Sequence, residues 1–142
     1  MKVREIMSRT VATVSSEDTV DVAARLMKEH NVGSIPVCSN EIVIGIITDR
    51  DIVLKSVAEG INPTAQKVSE IMSLKPVLGN PEMDVAEAGL LMGENQIRRL
   101  PIVEDDKLVG IISLGDIAVE PDLQDNAGSI LSDVSEPFAP NV

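Results

Sequence analysis

Residues 45–51 read GIITDRD, and residues 110–116 read GIISLGD. Each stretch is an apolar run entered by glycine, followed by a hydroxyl side chain, two free positions and an aspartate. Sliding the sequence by 65 places superimposes them and aligns residues 3–54 with 68–119 without a gap. Glu5-Ile6-Met7-Ser8 falls on Glu70-Ile71-Met72-Ser73, Val20 on Val85, Leu26-Met27 on Leu91-Met92, and Pro36 on Pro101. So many identities in one register mark a duplication of a unit of about 55–60 residues, joined near Gly60–Gln66.

Both copies read as β-α-β-β-α. A short strand, Thr10–Val14, leads to a helix with Thr19 as N-cap (Asp84 in the second copy) and an acid in the next turn, Asp21 or Glu87. Val20, Ala23, Ala24 and Met27, like Val85, Ala88, Gly89 and Met92, recur at helical spacing, so the methionine stripe reads as core. A strand Ile35–Cys38 pairs with Ile42–Ile47 across Ser39-Asn40-Glu41, with Glu104-Asp105-Asp106 as the second such turn. The second helix starts at Thr48 and runs to about Glu59, where Gly60 can cap its end. In copy two Glu120-Pro121 cuts this helix short. Beyond it a helix-compatible piece around Leu123–Val134, read as a docked helix or a dimer contact, precedes a Pro-containing end with a frayed tip. The organisation is repeat one with its linker at 1–65, repeat two at 66–120 and a C-terminal tail at 121–142. A single copy is too small to bury its sheet and both helices. The expected fold is α/β (α+β), with two pseudo-twofold-related repeats packed through their sheets, two related clefts between them, and a short helical tail.

Composition limits the partners. The 142 residues carry a formal charge of −11, which repels a phosphate backbone and an anionic membrane surface. There is no Trp or Tyr and one Phe, so the aromatic platforms of single-strand binders are missing and aliphatic side chains must grip any flat ring. The lone Cys38 has no disulfide or zinc partner and reads as a small buried hydrophobe. No apolar run reaches the roughly 18 residues of a membrane span, and no signal-type segment follows Met1-Lys2. The expectation is a soluble, cytoplasmic protein that engages neither nucleic acid nor membrane. His30, at the end of the first helix, reads as a partner for the helix dipole. With no catalytic triad, Cys/His pair, P-loop or metal cluster, the chain does not read as an enzyme.

The pattern REIMS…H-N-V-G-S-I-P-V…GIITDRDI, repeated as SEIMS…QIRRLPIV…GIISLGDI, resembles a tandem pair of cystathionine-β-synthase (CBS) domains, a Bateman module, over residues 2–119. The length is similar to that of small stand-alone bacterial and archaeal CBS proteins. The resemblance implies a disc-like homodimer whose clefts bind AMP, ADP, ATP, S-adenosylmethionine or NAD-type molecules as regulatory ligands, with no cofactor required. It also implies that the Gly-h-h-Thr/Ser-x-x-Asp motif is the ribose and phosphate site, which carries over to Thr48/Asp51 and Ser113/Asp116.

Chemistry allows two readings of that motif. Hydroxyl-x-x-acid is a capping box that would stabilise a helix start and nothing more. Alternatively the carboxylate accepts both hydroxyls of a ribose, the Thr48 or Ser113 hydroxyl reaches the ribose or an α-phosphate, and backbone N–H groups at the helix start meet an anion or oxygen. The two readings are compatible. Phosphate requires cations, and here the copies differ: Arg98-Arg99 precedes the first core strand of copy two where copy one has Gly33-Ser34. Guanidinium forks hold phosphate oxygens bidentately, although neighbours on a strand face opposite ways and only one can enter a cleft. The alternative is a solvated pair balancing Glu94, Glu104 and Asp105. Arg50 is a second candidate phosphate contact. For the base, Val11 and Ala12, or Val77 and Leu78, are the expected aliphatic walls, flanked by Ile35-Pro36 and Leu100-Pro101. Leu114-Gly115 replaces Asp49-Arg50, which either opens room for a bulkier ligand or weakens the second site. The competing function is a ligand-independent protein-interaction or structural module; in the leading reading the receiver of the signal is not readable from the sequence, and an unidentified protein partner is one candidate.

Overall fold

The computed structural model describes residues 1–120 and 124–135. It is a mixed α+β fold made of two compact units. One, the repeat-one unit, comprises Val11–Pro76 with Asp105–Leu108; the other, the repeat-two unit, comprises Met1–Thr10, Val77–Glu104 and the residues from Val109 on. The leading segments are therefore exchanged. Val3 of the first repeat is fully buried in the core of the repeat-two unit, beside Val85, Met92 and Leu100. Val68 and Ile71 complete the core of the repeat-one unit, beside Val20, Ala23 and Ile35. The duplicated Glu-Ile-Met-Ser thus performs one task twice. Each copy follows a 3-10 turn, Val3–Glu5 or Val68–Glu70, that pins its own valine in a core.

In the repeat-one unit, β1 (Val14–Ser15) runs parallel to β2 (Ser34–Ser39), which pairs antiparallel with β3 (Ile42–Thr48). The hairpin turn sits at Asn40 and Glu41, whose φ values of 50° and 69° are the left-handed pair a two-residue turn requires. A two-residue strand, β4 (Ser73–Leu74), lies on the other side of β3 at Gly45 and Ile46. The repeat-two unit has the corresponding strands, β5 (Arg99–Glu104) and, from Val109 on, β6 (Lys107–Ser113), with Ser8 bridging Ile111 where Ser73 pairs with Ile46 in the first.

The first strand is shorter than the expected Thr10–Val14, because pairing begins only at Val14. The duplicated prolines explain this. In the repeat-two unit the Val103 N–H donates to the Gly79 carbonyl and the Gly79 N–H to the Pro101 carbonyl, both at 2.9 Å. The next parallel rung would require an N–H from Pro101, which has none. Pro36 holds the aligned place. The residues just upstream, Val11–Ala12 and Val77–Leu78, are consequently left off the ladder and half-exposed.

The helices follow the apolar spacing. Helix α1 (Val20–His30) buries Val20, Ala23 and Met27, and α3 (Val85–Glu94) buries Val85, Ala88, Gly89 and Met92. Asp84 caps α3 by accepting the Ala86 N–H at 2.9 Å. Thr19 occupies the N-cap of α1 without a side-chain cap bond, since its hydroxyl donates to Asp21 instead. The linker serves in its place: the Val20 and Asp21 N–H groups donate to the carbonyls of Gln66 (2.9 Å) and Pro63 (3.2 Å). Helix α2 (Asp49–Ile52) continues into a wider π turn, Val53–Val57, and the helical run ends at Gly60, with φ of 69°. Its counterpart α4 is short, Leu114–Ala118. The tail helix α5 (Gln124–Ser135) docks through Ala127 and Ile130 into the repeat-two core, over Gly89 and Gly93 of α3. A Cβ at Gly89 would overlap Ile130 Cδ1. Pro121 and the Pro-containing end from residue 136 lie outside the described residues.

The glycines that open the two quoted stretches are required by close approach. A Cβ on Gly110 would stand 2.7 Å from Met7 Sδ and 2.8 Å from the Ser8 carbonyl oxygen; on Gly45 it would meet Met72 Sδ at 2.9 Å and the Ser73 carbonyl at 2.8 Å. The methionine can move, but Ser8 is held by reciprocal 2.9 Å bonds with Ile111. Gly110→Ala is therefore expected to cost about 1–3 kcal/mol, the usual range for an overpacked site, measured as a lower urea midpoint at unchanged slope.

Candidate functional site

Both copies of the hydroxyl-x-x-acid motif fold as reciprocal capping boxes. The Asp51 N–H donates to Thr48 Oγ1 and the Thr48 N–H to Asp51 Oδ2, each at 3.0 Å. In the second copy the Asp116 N–H donates to Ser113 Oγ at 3.1 Å and the Ser113 N–H to Asp116 Oδ2 at 2.8 Å. One carboxylate oxygen in each motif is thus committed to the helix start. The free first-turn N–H groups expected there are largely absent. The Asp49 N–H donates to the Gly33 carbonyl at 2.9 Å and the Leu114 N–H to the Arg98 carbonyl at 2.8 Å.

What remains differs between the copies. The second oxygen of Asp51, Oδ1, lies 3.2 Å from Lys55 Nζ, which also donates to the Ile71 carbonyl at 3.2 Å. Asp116 has only its capping partner among the described residues, and its Oδ1 is open. Asp49 accepts the Arg50 N–H on its own Oδ1 at 2.8 Å, whereas Leu114, at the aligned position, is 9 % exposed and turned into the core. The Gly115 N–H consequently has no partner among the described residues.

The basic residues are unengaged. Arg98 is exposed and Arg99, the first residue of β5, half-exposed; neither forms an ion pair among the described residues. The balancing by Glu94, Glu104 and Asp105 considered from sequence is not made. The Leu114–Arg98 backbone bond sets the root of Arg98 beside the Ser113–Asp116 turn. Arg50 is exposed and also without an ion pair among the described residues. The proposed walls divide: Val11, Ala12, Val77 and Leu78 retain accessible surface, but Ile35 and Leu100 are fully buried. Those two are core residues, because β2 and β5 are covered on both faces and the inward positions of the pleat offer a ligand nothing. Pro36 and Pro101 are buried as well, and act by stopping the ladder beside them.

Sequence reasoning missed Lys55. Its spacing of four from Asp51 on a helical run was the available signal. Cys38 is only partly buried, and its surroundings push the thiol up from its ordinary value, which leaves little thiolate at neutral pH. Among the described residues no three His, Cys, Asp or Glu side chains converge to hold a metal ion.

A family model, the CBS domain, matches the chain twice, over residues 3–57 and 68–121. The chain belongs to the CBS-domain family. It is 48 % identical over 133 residues to the CBS domain-containing protein YhcV of Bacillus subtilis, covering 94 % of each chain. Among solved structures it resembles Hypoxic Response Protein I, determined with two coordinated zinc ions, with a TM-score of 0.78 and 33 % identity over 84 % of this chain and 98 % of that one. It also resembles the CBS domain pair of protein MJ0100, solved in complex with 5′-methylthioadenosine and S-adenosyl-L-methionine, with a TM-score of 0.74 and 27 % identity over 83 % and 93 % of the two chains. The two matched stretches make up most of the chain.

Proposed function

We propose that this CBS pair is a regulatory module that binds adenosine-containing ligands and transmits their presence through the geometry of a homodimer. The observation that carries the reading is Asp116: one carboxylate oxygen holds the helix start while the other has no partner among the described residues, and the backbone of Arg98, which forms no ion pair among them, is bonded to the same turn. A capping role alone uses one oxygen. A ribose diol can donate to the other, Arg98 or Arg99 can hold a phosphate, and Val77 and Leu78 offer aliphatic surface to a base. Asp51, Thr48 and Arg50, with Val11 and Ala12, form the corresponding set in the repeat-one unit. The related pair in complex with two adenosyl ligands supports this chemistry. The module is read as cytoplasmic and non-catalytic, in line with its stand-alone relatives; no helix of the described residues is long and apolar enough to cross a membrane.

The reading is tested by a dye-monitored melt against AMP, ADP, ATP, S-adenosylmethionine and NADH. A ligand at a hundredfold excess over its dissociation constant adds about 2.7 kcal/mol, so a shift of several degrees is expected. Flat melts across the panel would remove the reading. The second reading, a ligand-independent interaction module, is favoured by an apolar strip on the far end of the α2 run: Val53, Leu54 and Val57 with Ile61 are all exposed, Val57 at 66 %. In the leading account this strip is the homodimer face, since another copy supplies an equally apolar partner. Leu54→Glu with Val57→Glu is then expected to convert the dimer to monomer in sedimentation equilibrium.

A further inference from the structure

Resting on the adenosyl-binding reading, we infer that the two motifs sort their ligands by charge. The Ser113/Asp116 motif takes phosphorylated adenosine. The Thr48/Asp51 motif refuses phosphate and takes an uncharged or cationic adenosine derivative.

Of five aligned positions at each turn, four differ. In the repeat-two unit these are Arg98, Arg99, Leu114, Gly115 and Asp116, two bases against one acid. In the repeat-one unit they are Gly33, Ser34, Asp49, Arg50 and Asp51, two acids against one base. The structure shows why the exchanges belong together. Where the second copy has the Arg98 side chain, the first has none, and the space is taken by a carboxylate: a Cβ on Gly33 would lie 2.9 Å from Asp49 Oδ2. That carboxylate is tethered, because its Oδ1 accepts the Arg50 N–H at 2.8 Å. Asp49 therefore sets a negative charge within the Thr48–Asp51 motif itself, next to Thr48. A phosphate arriving there meets two carboxylates with Arg50 as the only arginine to offset them, whereas a neutral thioether or a sulfonium group does not suffer that repulsion. In the second copy the aligned Leu114 turns into the core and contributes no charge, and Arg98 and Arg99 form no ion pair among the described residues, so the one that faces the turn is available to an anion.

The copies also differ at the helical turn beyond. Lys55 engages the spare oxygen of Asp51 at 3.2 Å, while the position aligned with it is Glu120. A ligand at the first motif must share that oxygen with an ammonium, which makes it the weaker ribose acceptor. Lys55 is itself half-exposed and shared with the Ile71 carbonyl, so it does not restore the missing arginine pair.

The test uses two probes that differ at the 5′ group, AMP and 5′-methylthioadenosine, with inorganic phosphate as control, titrated calorimetrically into the full chain. Wild type is expected to bind AMP at one site per chain, lost in Asp116→Asn and kept in Asp51→Asn, with the thioether nucleoside showing a further site that Asp51→Asn removes. Arg98→Gly with Arg99→Ser, the residues of copy one, is expected to weaken AMP about ten- to a hundredfold, the factor of one charge-assisted hydrogen bond, and to leave the Asp51-dependent site unchanged. Gly33→Arg with Asp49→Leu, which removes the clash together with the charge, is expected to add a second AMP site. AMP binding equally at both motifs, or unaffected by the arginine exchange, would overturn the inference while leaving the adenosyl reading standing. Silence with both nucleosides would overturn that reading and the inference with it. Heat from inorganic phosphate equal to that from AMP would show an anion site without adenosine recognition, and would also overturn it.

Discussion

Leu100→Ala is expected to lower the unfolding free energy by about 2–5 kcal/mol, the range measured for emptying a buried leucine site, while Arg99→Ala, one residue away, changes it by less than about 0.5 kcal/mol. Leu100 is fully buried in the repeat-two core, which also contains Val3, Val85, Met92, Ile102, Ile112 and Ile117. Strands β5 and β6 carry this core together with α3 and α4, and α5 packs against those helices, so the neighbours have little freedom to collapse into the void. At about 4 °C per kcal/mol for a chain of this size, the melting temperature should fall by roughly 8–20 °C. Arg99 enters no ion pair among the described residues, so its loss removes no contact that holds the fold. Ligand affinity should show the opposite pattern, with the loss of both guanidinium groups in Arg98→Ala with Arg99→Ala costing binding and Leu100→Ala affecting it only through the folded fraction. Equal destabilisation by the two substitutions in urea titrations would contradict the division between core and site at this strand.

The second large effect is expected on affinity. Asp116→Asn should weaken a ribose-containing ligand about a hundredfold or more, because two hydrogen bonds to a charged acceptor are lost or reversed. Stability should fall by less than about 1 kcal/mol, the value of a helix-start charge. The amide oxygen of asparagine can still accept the Ser113 N–H that Asp116 Oδ2 now holds at 2.8 Å, so the cap survives while the diol acceptor does not. Asp116→Ala would remove both and confuse the two roles. Affinity measured by calorimetry and stability measured by denaturation on the same preparation separate them. A variant that loses stability and keeps its affinity would leave the motif with capping alone.

Much of this was legible in the sequence because duplication doubles every signal. The register shift of 65 places located strands, helices and both motifs, and the Asp84 cap and the methionine stripe appear as read. Three features were not legible, each for a physical reason. The exchange of leading segments was hidden, since a repeat states which residues are equivalent and not which copy they pack against; Glu-Ile-Met-Ser looked the same in either arrangement. The early end of the first strand came from Pro101 and Pro36, whose effect depends on which side of the strand the missing N–H faces. Ile35 and Leu100 were assigned to ligand walls because a strand next to a site has a face toward it; coverage of the other face decided their role.

The candidate site was legible as residue types and as an uneven placing of arginines, but not as the set of atoms left open. Thr48, Asp51, Ser113 and Asp116 carried the motif, and the structure adds which of their atoms are already in use. Lys55 on Asp51 and the Asp49 carboxylate over Gly33 are consequences of helix phase and of an absent side chain.

The most direct measurement is calorimetric titration of the wild-type chain and of the Asp51→Asn, Asp116→Asn double variant with AMP and with S-adenosylmethionine. The account predicts saturable heat from at least one of the two ligands in the wild type and none from either in the double variant, with both proteins folded. Identical heats in the two proteins, or none in the wild type, would contradict it.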